Sequence, residues 1–133
     1  MKVWAFDADN TLNIIGSPHP GPIDLRDVVR LKNEGDVIGL VGNYYTAFKN
    51  WKDIFKVINF YGPLFNHDKA SYLGSVKMDI SRARPEVRDF IMVGNRRIDA
   101  LAGLVLASAN DDGQARLAGW RFIREIDFAS GKR

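Results

Sequence analysis

Asp7 and Asp9 stand two residues apart at the end of the apolar run Val3-Trp4-Ala5-Phe6. Side chains at i and i+2 of an extended chain point the same way. Two carboxylates sharing a site repel, so one has its pKa raised unless a cation lies between them. A hard divalent ion suits such a pair, because Mg2+ takes carboxylate, carbonyl and water oxygens. One carboxylate can then attack phosphorus while its neighbour acts as general acid and base. Phosphoryl transfer asks mainly for positioning and charge neutralisation, which a cation and a lysine supply. An Asp-x-Asp after a strand also serves as an ordinary turn with Asx-type hydrogen bonds, so the surrounding chain must discriminate.

Two more polar clusters follow apolar runs. Gly42-Asn43 comes after Val37–Val41, and Gly94-Asn95-Arg96-Arg97-Ile98-Asp99 comes after Phe90–Val93. The elements that would position them alternate between strand and helix patterns. Val3–Phe6 reads as a buried strand. Gly16 to Pro22 is dense in turn formers and reads as a loop. Asp24 is an N-cap candidate for a helix through Leu25, Val28 and Val29 that Gly35 ends. Val37–Val41 is the second strand. Phe48, Trp51, Ile54, Phe55 and Ile58 have the spacing of one amphipathic helix. A short third strand falls within Ile58–Leu64. Tyr72, Leu73, Val76, Ile80 and Ala83 predict a helix stopped by Pro85. Phe90–Val93 is the fourth strand. Ile98 to about Ala109 reads as a helix, Asn110–Gly113 as a turn or helix break, and Trp120–Ile123 as the last strand. This alternation predicts an α/β fold with a parallel sheet. Ligands gather at the carboxyl ends of such strands, where all three polar clusters sit.

Composition narrows the classes. A chain of 133 residues, 46% hydrophobic and 26% charged, reads as one soluble globular domain spanning 1–133. Residues from about 126 to 133 read as a frayed end. Cysteine is absent, which excludes disulfide scaffolds and thiolate zinc sites. His19 and His67 are too few for a multi-histidine metal centre, and neither belongs to a nucleophile elbow. The net charge of +3 is far below the density of a dedicated nucleic-acid arm. No apolar run suggests a membrane span, and the N-terminus turns acidic too soon for a signal peptide, so the expected location is cytoplasmic. Neither a Gly-rich loop ending in Gly-Lys-Ser/Thr nor a GxGxxG stretch is present.

The run Val3–Leu12, with Asp7, Asp9 and Thr11 after an apolar strand, resembles the first motif (DxDxT) of the haloacid dehalogenase (HAD) superfamily. Val37–Asn43 is similar to its second motif. Phe90–Asp99 resembles its fourth, an apolar strand followed by GDxxxD. The order is right, and the resemblance covers about residues 2–123. It implies a three-layer Rossmann-like (HAD-like) fold with strand order 3-2-1-4-5 and a Mg2+-dependent phosphohydrolase acting on a phosphomonoester. It implies Asp7 as the nucleophile that becomes an aspartyl-phosphate and Asp9 as the acid and base. Asp7, the Asp9 carbonyl, Asn95 and Asp99 would hold Mg2+. Thr11, Gly42, Asn43 and a third-motif lysine would meet the phosphate. Lys69, just ahead of the Tyr72–Ala83 helix, fits that lysine better than the mid-helix Lys77.

Two positions depart from the pattern. Gly42 stands where the family has a hydroxyl, so that backbone N–H groups at Gly42 and Asn43, or the Asn43 amide, would have to replace it. Asn95 stands where the family has Asp, which predicts weaker Mg2+ binding, since hard-cation affinity follows ligand charge. These losses support an alternative from another class: a HAD-fold domain that binds a phosphate ligand or a protein partner without catalysis.

Neither the stretch from Leu12 to Val37 nor that from Asn43 to Lys69 has room for a cap domain. The resemblance is therefore to capless members, whose open site suits a phosphorylated macromolecule end. A phosphorylated small molecule would also fit if a homo-oligomer supplied a lid. Arg96 and Arg97 would flank the site, with His67 as a further lining candidate. Tyr44, Tyr45, Lys49, Lys52 and Lys56 combine aromatic and basic groups, which could recruit a phosphorylated sugar, nucleotide or nucleic-acid end, although a solvated helix face is the better reading of the lysines.

Overall fold

The computed structural model describes residues 1–63, 68–95 and 111–133. β1 (Val3–Asp7) is buried at every position. That is what a strand covered on both faces of a parallel sheet requires. It lies at the centre. β2 (Val37–Val41) and β4 (Phe90–Gly94) flank it, β3 (Phe60–Tyr61) adds to β2, and β5 (Arg121–Arg124) adds to β4. All four pairings are parallel, and the order is 3-2-1-4-5 as expected. Asp7 is level with Val41, and Phe6 with Val93, so the chain leaves β1, β2 and β4 at one edge.

The alternation along each strand sorts the core into two layers. Trp4, Phe6, Ile38, Leu40, Ile91, Val93 and Ile123 face one side. There they meet Val28 and Leu31 of α1 (Leu25–Asn33), Ala47 of α2 (Tyr44–Asn50) and Phe128 of α5 (Glu125–Ala129). Val3, Ala5, Val41, Phe90 and Met92 face the other side. They meet Leu73 and Val76 of α3 (Lys69–Ala83) and Ala115 of α4 (Asp111–Leu117). Asp7 continues the parity of Val3 and Ala5, so its carboxylate leaves the strand toward α3 and α4.

α1 starts as its sequence dictates. The Asp24 carboxylate accepts from the Arg26 N–H at 2.9 Å, and Gly35 takes a left-handed φ of 99° just past the end.

Four elements differ from expectation. The single helix through Phe48 and Ile58 is instead α2 followed by a 3-10 turn at Ile54–Lys56. Trp51 still donates its N–H to the Ala47 carbonyl at 2.8 Å, but its own backbone is extended, so the helix stops there. Two short segments still bury Trp51, Ile54 and Val57, which is what the apolar spacing required. α3 begins at Lys69, earlier than the Tyr72 of the apolar pattern. The stretch beginning at Asp111 is helix α4 rather than a break. The tail is packed past residue 126: Phe128 is 1% exposed and stands edge-on to Trp4 and Phe6 at 5.5 and 5.3 Å. Burying a phenylalanine this fully is worth about 1.5–3 kcal/mol, which ties the tail to the core. The helix expected over Ile98–Ala109 lies outside the described residues.

No helix among the described residues is long and apolar enough to cross a membrane.

Candidate active site

Asp7 ends β1 nearly sealed from solvent. Its Oδ1 accepts from Lys69 Nζ at 3.1 Å. Its Oδ2 accepts from Asn95 Nδ2 at 2.7 Å and from the Thr11 hydroxyl at 3.3 Å. Burial pushes the Asp7 carboxyl up to about 6, and the negative charges of Asp111 and Asp9 add to the rise while Lys69 opposes it.

Lys69 is the first residue of α3 and is 1% exposed. Its ammonium is shared by Asp7 and by Asp111, whose Oδ1 is 2.7 Å away. Burial alone would lower its pKa, but the two carboxylates outweigh that and hold it above the ordinary lysine value. One ammonium cannot neutralise two carboxylates, so this buried triad keeps a surplus negative charge when all three are ionised. Lys77 is elsewhere, donating to the Gly119 carbonyl at 2.7 Å and lying over the Phe90 ring.

The chain after β1 turns back at once. Thr11 N–H and Leu12 N–H both donate to the Ala8 carbonyl, and Asn10 takes φ 58°, the left-handed region that asparagine tolerates. The turn brings Thr11, fully buried, back against Asp7. Asp9 points toward β2: its Oδ2 accepts from Asn43 Nδ2 at 3.1 Å. Its Oδ1 is buried and has no partner among the described residues. A carboxylate oxygen without a donor is uncommon in a buried setting and leaves one oxygen available to an incoming group.

Gly42, after β2, has φ 93° and its N–H donates to the Pro63 carbonyl at 3.1 Å. That N–H is therefore engaged by the protein's own backbone, contrary to the expectation that it would meet a phosphate. The Asn43 amide also bonds the Thr46 hydroxyl at 3.3 Å, so within the protein it orients Asp9.

Asn95, after β4, reaches the same place from the other side. Its Nδ2 lies 2.9 Å from the Asp9 carbonyl and 3.1 Å from Thr11 Oγ1, besides Asp7. Its backbone N–H donates to Asp111 Oδ2 at 2.9 Å. Gly94 makes this approach possible: a Cβ there would meet Asp111 Oδ2 at 2.4 Å. Asp111 thus ties Lys69 to Asn95 at the end of β4. Gln114, one turn further along α4, accepts from the Ala70 N–H at 3.0 Å and fixes the start of α3.

Of the sequence-derived residues, Asp7, Asp9, Thr11, Asn43, Lys69 and Asn95 converge in one hydrogen-bonded cluster. Gly42 is adjacent through the chain. Asp99, Arg96, Arg97 and His67 lie outside the described residues. Asp111 was missed. Its signal was the acidic pair Asp111-Asp112 ahead of Ala115, Ala118 and Trp120, a helix start leading into the last strand, which the Asn-Asp-Asp-Gly run disguised as a turn.

Among the described residues, no group of three His, Cys, Asp or Glu side chains is arranged to hold a metal. The donors that do converge are mixed: Asp7 Oδ2, the Asp9 carbonyl and Thr11 Oγ1 all surround the Asn95 amide. These are hard oxygen donors, and the amide could add its own oxygen. The set fits a hard cation that keeps several water ligands, as Mg2+ does.

No protein-family model, no curated protein and no solved structure matches the chain.

Proposed function

We propose that this protein is a phosphohydrolase of the HAD type, acting on a phosphomonoester through an aspartyl-phosphate at Asp7. The observation that supports it is the pairing of two differently treated carboxylates at the carboxyl edge of the central strand. Asp7 is held against a buried lysine, and Asp9 keeps one oxygen without a partner among the described residues.

In the first step an Asp7 carboxylate oxygen attacks phosphorus. The bond from phosphorus to the ester oxygen breaks, and that oxygen takes a proton from Asp9. In the second step Asp9, now ionised, removes a proton from water as the water oxygen attacks phosphorus. The bond to Asp7 breaks, inorganic phosphate leaves, and Asp9 is again protonated. Lys69 offsets the negative charge that gathers beside Asp7. Thr11 and Asn43 orient the two carboxylates rather than the substrate. Asp111 positions Lys69. Mg2+, held by Asp7, the Asp9 carbonyl and Asn95, would neutralise charge on the transferred group.

The test is hydrolysis of an aryl phosphate with and without Mg2+. Turnover that requires Mg2+ and Asp7 supports the reading. Phosphate binding with no turnover across a broad panel of phosphate esters overturns it in favour of a non-catalytic binding domain.

A further inference from the structure

Three oxygens surround Asn95 Nδ2 within 3.1 Å: Asp7 Oδ2, the Asp9 carbonyl and Thr11 Oγ1. An amide nitrogen has two hydrogens. It cannot donate fully to three acceptors, so the shell is richer in oxygen than a hydrogen-bonded amide needs. Such a shell matches a small cation better than a donor. Asn95 is 7% exposed, and its backbone is anchored through its N–H to Asp111, so its side chain is delivered to this point by the fold.

The orientation of that amide depends on what lies between the oxygens. With nothing else present, Nδ2 must face them. Turning the side chain would set Oδ1 against a carboxylate and a carbonyl, neither of which has a hydrogen to give. A divalent cation at the centre reverses the preference, because Oδ1 then becomes a ligand and Nδ2 a source of repulsion.

We propose that the Asn95 amide is a neutral stand-in for a divalent cation, which the cation displaces: the amide draws back and turns so that Oδ1, not Nδ2, faces the ion. The amide holds Asp7, the Asp9 carbonyl and Thr11 together while the cation is absent. It also competes with the cation for those oxygens, so affinity is traded for a site that stays assembled when empty. This inference rests on the cation site of the proposed phosphohydrolase, but not on its turnover.

Wild type and Asn95→Asp are compared without substrate. In EDTA the variant sets a new carboxylate against the Asp7 carboxylate and the Asp9 carbonyl, so it melts about 4 °C or more below wild type. In a Mg2+ titration it binds about tenfold or more tightly, since a charged ligand has replaced a neutral one. In wild type, the Asn95 side-chain NH2 protons are protected from exchange in EDTA and lose that protection as Mg2+ is added. This last measurement stands whether or not the variant folds. A variant as stable as wild type in EDTA, equal Mg2+ affinity in the two proteins, or freely exchanging Asn95 amide protons in EDTA would each overturn the inference. Failure of the phosphohydrolase reading looks different: no phosphate ester is turned over while these melting and binding results stand.

Discussion

Lys69 Nζ lies 2.7 Å from Asp111 Oδ1, and both side chains are at most 2% exposed. The contact joins the first residue of α3 to the first residue of α4 beneath the end of β1. It makes a lysine that also faces Asp7 part of a charged triad whose members come from three elements. Lys69 is the common member: if it shifts, Asp7 and Asp111 both lose their counter-charge.

Replacing Lys69 by methionine therefore removes the only counter-charge that the described residues offer Asp7 and Asp111. Breaking a buried pair in this way costs about 3–5 kcal/mol. Urea unfolding at neutral pH should show a loss of that size for Lys69→Met. Lys77→Met, whose ammonium sits at an exposed carbonyl, should lose less than about 1 kcal/mol. Equal losses would show that Lys69 is not held as a charged partner.

Gly42 gives a prediction against intuition. The HAD resemblance places a hydroxyl here, so Gly42→Ser restores the motif on paper. The backbone φ of 93° disfavours any side chain, and the turn is pinned by the bond to Pro63. Gly42→Ser should destabilise by about 1–2 kcal/mol and leave turnover unchanged or lower. A rise in kcat/KM would mean that the turn adapts and that the missing hydroxyl limits the reaction.

Asp7 should leave a signature in stability against pH. Its carboxyl is pushed up to about 6 in the folded protein, from 3.8. The native state then binds this proton more tightly than the unfolded chain. The contribution is fully present below about pH 3.8, and it is lost as pH rises through about 6. The shift corresponds to about 3 kcal/mol. With EDTA present, the stability of wild type minus that of Asp7→Asn should fall across that window and be flat on either side. A difference that rises with pH would mean that Lys69 dominates and that Asp7 is ionised throughout.

Much of the scaffold was legible because hydrophobic pattern and sheet geometry impose the same constraints. Val3–Phe6, Val37–Val41 and Phe90–Val93 are continuous apolar runs, which an all-buried parallel strand needs. Asp24 and Gly35 bracket α1 by cap chemistry alone. Spacing could not distinguish one helix from two pieces at Phe48–Ile58, because both bury Trp51 and Ile54. What stops the helix is the extended backbone at Trp51, a local conformation invisible to periodicity. In the site, spacing paired Asp7 with Asp9 on the premise of an extended chain, but the chain turns at Ala8 and sends the Asp9 carboxylate toward Asn43. Thr11 and Lys69 entered through the HAD resemblance rather than through spacing. Asp111 was not legible, since its partners Lys69 and Asn95 are 42 and 16 residues away and only the fold brings them to it. Nor could spacing show that the Asn43 amide serves Asp9, or that the Gly42 N–H is taken by Pro63.

The most direct test of the central claim is chemical capture of the acyl phosphate. The protein is mixed with Mg2+ and an aryl phosphate, quenched with borohydride, digested and sequenced by mass spectrometry. Reduction of an aspartyl-phosphate leaves homoserine, and the account predicts homoserine at position 7 only when substrate is present. Turnover of the ester with aspartate intact at position 7, or with the reduced residue at another position, would contradict it.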